Sequence, residues 1–180
     1  MKSVLVAGIG NIFNGDDAFG VEVARRLLHR QLPAGVRVID FGIRSIDLTY
    51  ALLEGYEAVV LVDAAQRGEA PGTVTLVEPD AIEGVPDPED LMLSPHELDP
   101  AKVLRLVAAL GGQCERVLLV ACEPLTFGGE VGVMGLSEPV REAVEAAVGT
   151  VEELVGELMT APSLSTAPRL EPQMSEGGRS

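Results

Sequence analysis

With 180 residues, 28 of them acidic and 13 basic for a formal charge of −15, the chain fits one domain with a real core and is a poor partner for nucleic acid or an anionic membrane. Hydrophobic residues make up 47% of it, yet no run approaches the roughly 20 apolar residues of a membrane span, and Met1-Lys2-Ser3 passes straight into a strand, which sets the expectation of a cytoplasmic protein without a signal peptide. The two cysteines, Cys114 and Cys122, lack C-x-x-C spacing and companions, which excludes a zinc ribbon or disulfide scaffold and reads as free thiols in a reducing compartment.

Val4-Leu-Val-Ala7 is a short apolar run of the kind buried on both faces of a parallel sheet. Gly8, Gly10 and Gly15 allow a sharp turn at its carboxyl end, and Asp16 and Asp17 stand where a helix must begin, since Phe19, Val23 and Leu27 repeat at i, i+4 spacing as far as Arg30. Gly8-Ile9-Gly10 suggests the start of a dinucleotide fingerprint, but Phe13 occupies the third glycine position and two carboxylates sit where a pyrophosphate would lie. The simpler reading of Asp16 and Asp17 is that they cap the first helix, where acids favour the dipole.

Pro33-Ala34-Gly35 is a turn, and Val36-Arg-Val-Ile-Asp40 reads as the second strand. Phe41 to Ser45 is a loop, Ile46 to Leu53 carries helical spacing, and Ala58-Val-Val-Leu-Val62 is a third, wholly apolar strand ended by Asp63. Two βα units and a third buried strand imply a doubly wound parallel sheet with right-handed crossovers. Thr73 to Val77 alternates like a half-exposed strand and follows too soon for a crossover helix, so it is expected to run antiparallel at the sheet edge.

Glu78 to Asp99 is a long Pro-rich, acidic loop that contains His96. Asp99-Pro100 opens a third helix with an apolar stripe of Val103, Leu104, Val107 and Leu110, and Arg116 to Ala121 is the last central strand. After a glycine-rich connection from Phe127 to Gly135, Ser137-Glu138-Pro139 opens a fourth helix lined by Val140, Val144, Val148, Val151, Val155 and Leu158. The expected fold is therefore a three-layer α/β domain over residues 1–160. Its twisted, mostly parallel five-stranded sheet has one antiparallel edge strand and helices on both faces; residues 161–180 form a disordered tail.

Three groups then share one rim: Asp17 past the first strand, Asp63 at the end of the third, and His96 in the long loop. The carboxyl ends of adjacent strands meet where strand order reverses, and two carboxylates with an imidazole can hold a divalent metal with open positions. Each has a simpler reading. Asp63 can cap its turn, and His96 in Ser94-Pro95-His96-Glu97 can belong to a capping-box turn. His29, beside Arg26 and Arg30, reads as a solvated cation at a helix end.

The run from Gly8 to Gly20 resembles the N-terminal signature of the hydrogenase maturation proteases, which trim the large-subunit precursor of nickel-iron hydrogenases. The likeness continues through Leu61-Val-Asp-Ala64, Pro71-Gly72-Thr73, Ser94-Pro-His-Glu-Leu98 and Leu118-Leu-Val-Ala-Cys-Glu-Pro124, in the family's order, and spans Val4 to about Leu158. The resemblance implies that Asp17, Asp63 and His96 are the metal-contacting and catalytic residues; the family often has glutamate at the first, so Asp17 is a shorter carboxylate. The Arg44-Ser45 loop also departs from the glycine-richer version of some members.

The implied activity is an endopeptidase that removes the C-terminal extension of the nickel-loaded precursor. Nickel enters as part of the substrate's metal centre rather than as a permanent cofactor, and Asp-assisted hydrolysis stays open beside metal activation. Neither an H-E-x-x-H helix nor a serine nucleophile elbow is present in the sequence. The competing readings are a nickel-delivery or assembly scaffold with the same three ligands and a nucleotide-dependent enzyme on a Rossmann-like fold.

Overall fold

A computed structural model of the chain describes residues 2–78, 100–112, 114–129 and 131–161. His96, its neighbours Ser94 and Glu97, and the expected tail beyond 161 lie outside the described residues. The strands are β1 (Val4–Ile9), β2 (Val36–Gly42), β3 (Ala58–Ala64), β4 (Val74–Val77) and β5 (Arg116–Cys122), and the helices are α1 (Phe19–Leu27), α2 (Ser45–Leu53), α3 (Pro100–Ala109) and α4 (Glu138–Thr160).

One five-stranded sheet forms in the order β2-β1-β3-β5-β4. All neighbouring pairs are parallel except β4 with β5, so the strand that follows β3 without a crossover helix does occupy the antiparallel edge. From β1 the chain moves to one side for β2 and to the other for β3. The crevice beyond the carboxyl ends of β1 and β3 is consequently the topological switch point, where open α/β sheets bind ligands.

Alternation along the strands builds two cores. Val4, Val6, Val60, Val62, Leu118 and Val120 face α1 and α4. Leu5, Ala7, Val59, Leu61, Val117 and Leu119 face the other way, with Leu48 and Leu52 of α2 and Val107 of α3. Each fully buried aliphatic side chain contributes about 1.5–3 kcal/mol relative to exposure, and β1 and β3 carry no polar side chain until Asp63. The apolar stripe of α4 is buried along its whole length, from Val140 to Leu158.

Local differences from expectation lie at element ends. Helix α1 stops at Leu27 rather than Arg30, because His29 N–H and Arg30 N–H donate to carbonyls three residues back, Arg26 and Leu27, and tighten the final turn. His29 is solvent-exposed there, as anticipated. Leu110 lies in the turn after α3 and is 47% exposed, so it leaves the stripe that Leu106 and Val107 bury.

Candidate active site

The turn after β1 depends on two close backbone approaches. Gly10 has φ +135°, and a Cβ there would fall 1.7 Å from the Asp17 carbonyl oxygen; a Cβ on Gly20 would fall 2.0 Å from that of Val62. Only glycine permits either contact. The chain therefore folds back on itself between Gly10 and Asp17, and α1 starts against the ends of β1 and β3. Between them, Gly15–Ala18 forms a single 3₁₀ turn that carries both acids.

This geometry brings Asp17 and Asp63 to the same crevice. Asp63 lies one residue beyond Val62, the last β3 residue in register with β1. The two carboxylates are 3% and 4% exposed. Asp17 Oδ2 accepts the Asn11 N–H at 3.0 Å, and Asp63 Oδ1 accepts its neighbour Ala64 N–H at 2.8 Å. Burial first, and the Asp17 charge second, push the Asp63 carboxyl well above the usual carboxylate range, with the Ala64 N–H opposing them. Such a pair can exchange a proton with a substrate or take up a cation.

The third expected donor, His96, lies outside the described residues, and among the described residues no group of three His, Cys, Asp or Glu side chains is arranged to hold a metal.

Asp16 does something the sequence did not reveal. Its carboxylate is wholly buried and caps no helix. Oδ2 accepts the N–H groups of Leu125 and Thr126 at 2.8 and 3.0 Å and the Ser137 hydroxyl at 2.8 Å, while Oδ1 accepts the Ser137 N–H at 2.6 Å. The reading of Asp16 and Asp17 as a plain N-cap pair is thereby corrected. The partners of Asp16 come from the loop after β5 and the start of α4, more than a hundred residues away, where no local pattern points to them. Glu123, also buried, accepts the Arg67 N–H at 2.7 Å and closes the connection after β3. A carboxylate directly following an apolar strand, in Cys122-Glu123-Pro124, was the available signal.

Around the turn the surface is apolar. Phe13, Leu125, Val131 and Met134 are exposed at 58–97%, on two segments joined by the Gly15 N–H to the Val133 carbonyl and the Val133 N–H to the Phe13 carbonyl. A concavity of about 390 Å³ opens beside them between α1 and α4, with Ile12, Arg25, Arg26, Met134 and Arg141 in its lining and neither Asp17 nor Asp63. Cys122 sits beneath the site, and burial, followed by the charges of Asp16 and Glu123, pushes its thiol up to about 12. Both cysteines are free.

A family model described as hydrogenase maturation protease matches residues 21–154. A putative hydrogenase maturation protease of Methanocaldococcus jannaschii is 30% identical over 87% of this chain and 97% of its own length. The hydrogenase expression/formation protein HupM of Azotobacter chroococcum is 31% identical over 98% of this chain and 84% of its own. Among solved structures, the hydrogenase maturating endopeptidase HybD of Escherichia coli aligns with a TM-score of 0.69 at 27% identity, covering 87% of this chain and 93% of that one. No helix among the described residues is long and apolar enough to cross a membrane.

Proposed function

The chain belongs to the hydrogenase maturation protease family, and on that premise we propose that this endopeptidase removes the C-terminal extension of a nickel-loaded hydrogenase large-subunit precursor, recognising the nickel through Asp17, Asp63 and His96. The observation that carries the reading is the pair of buried carboxylates at the β1/β3 switch point, one on the turn after β1 and one near the end of β3, the second pushed well above the usual carboxylate range by burial and then by the charge of the first.

A divalent ion between these groups would relieve the buried charge and the repulsion together, and nickel accepts both carboxylate and imidazole donors. Docking on the substrate's own metal holds the nearby extension against the protease, so that cleavage gains from orientation rather than from tight binding of the extension itself. The exposed apolar side chains of Phe13, Leu125, Val131 and Met134 beside the site suit a polypeptide substrate.

The test is incubation of the purified protein with precursor, loaded with nickel or nickel-free, followed by mass spectrometry. Only loaded precursor should be shortened. Asp17→Asn, Asp63→Asn and His96→Ala should stay folded and cut it at least about 100-fold more slowly, more than is typical for groups that merely support metal ligands. Equal cutting of both precursor forms would remove nickel from the recognition, and an unchanged precursor mass would favour a delivery or assembly role.

A further inference from the structure

We infer that Asp16 is a positioning residue for the metal-recognising site: its buried carboxylate sets the direction of Asp17 by clamping the 3₁₀ turn to the Leu125–Thr126 loop and to the first residue before α4. This rests on the function proposed for Asp17. Successive side chains on a 3₁₀ turn project about 120° apart. With Asp16 fixed by four hydrogen bonds on the side of Leu125, Thr126 and Ser137, Asp17 is turned away from that loop and toward the end of β3, against which the turn packs. The Asp16 N–H adds a bond to the Thr126 carbonyl at 3.1 Å, so backbone and side chain hold the same loop.

Among the described residues, the donors that reach the Asp16 carboxylate are all neutral: three backbone N–H groups and one hydroxyl. A buried carboxylate held by neutral donors is costly to keep for packing alone, and an apolar residue would pack this position with less desolvation. What only a carboxylate supplies is acceptors on both oxygens. Asparagine at 16 could keep its carbonyl toward Leu125, Thr126 and the Ser137 hydroxyl, or toward the Ser137 N–H, but its amide would then face a donor at the other place. It preserves one anchor and releases the second. Ser137 is the joint of the two: it contributes both its N–H and its hydroxyl to Asp16 and makes no side-chain cap bond to α4.

The experiment is calorimetric titration of the metal-free protein with nickel(II) chloride, run beside thermal melts and the precursor-processing assay, for wild type, Asp17→Asn, Asp16→Asn, Ser137→Ala and Ser137→Thr. Asp16→Asn should weaken nickel binding about 10–100-fold, the range for groups that orient metal ligands, and slow processing similarly per folded molecule. Ser137→Ala, which loses one of the four donors, should weaken nickel binding about threefold, and Ser137→Thr, which keeps the hydroxyl, should restore it. A merely structural Asp16 would lower the melting temperature and leave nickel affinity per folded molecule unchanged; that result overturns the inference. If Asp16→Asn does not fold, Ser137→Ala decides the matter, and unchanged nickel affinity in it has the same force. Undiminished nickel binding and processing by Asp17→Asn would instead overturn the reading of the site itself.

Discussion

Asp63→Asn should make the metal-free protein more stable at neutral and alkaline pH while it abolishes processing. The amide keeps an oxygen for the Ala64 N–H and removes an ionisable group that is buried beside Asp17. Over the pH range in which the native group holds a proton that the unfolded group has lost, wild type falls behind the variant by about 1.4 kcal/mol per pH unit, which in a chain of this length is about 3–6 °C in Tm. The sign follows from linkage. The folded-state pKa of Asp63 is raised above its unfolded value, so the native state binds the proton more tightly. The contribution to stability is full below the unfolded pKa near 4 and is lost as pH climbs through the higher folded value. The variant lacks that slope. Its advantage should therefore be absent near pH 4 and grow toward pH 8, in melts followed by circular dichroism with chelator present. A variant less stable than wild type at every pH, or an advantage that does not vary with pH, would refute the claim that burial and Asp17 hold the Asp63 carboxyl above the usual carboxylate range.

Gly10→Ala should cost about 3 kcal/mol, the upper end for a strained backbone position, because its Cβ meets the Asp17 carbonyl; melts should show a fall of about 6–12 °C, and processing should drop by more than the loss of folded protein, since Asp17 itself is displaced. Cys122, with its thiol raised to about 12, should resist iodoacetamide at pH 8 in the native protein and react after denaturation. Adduct masses on the separated peptides check this, and modification of native Cys122 at the rate of an exposed thiol would contradict its burial.

The fold was legible because its signals are local. Five uninterrupted apolar residues at Ala58–Val62, the alternation at Thr73–Val77 and the valine spacing of α4 each declare their element within a dozen residues. The convergence of Asp17 and Asp63 was legible too, since both follow buried strands and the βαβ order makes those strands neighbours. The role of Asp16 was not. Sequence offered two adjacent acids before a helix, and capping accounts for either one; which of them turns toward β3 depends on where residues 125 and 137 lie. Ser137 misleads in the same way, as it occupies an N-cap position in extended conformation but gives its hydroxyl to Asp16.

These features place the cost of the site in the unliganded protein. Asp63 is buried against a like charge, Asp16 is buried among neutral donors, and Gly10 and Gly20 give up side chains so that backbones can touch. Under the proposed function, that cost itself discriminates between substrates. A precursor carrying a metal supplies the charge that the two carboxylates lack, whereas an unloaded one would seal them away from water with nothing in exchange, a penalty that works against the wrong partner. On that reading, loaded and unloaded precursor are told apart by the electrostatics of a buried crevice.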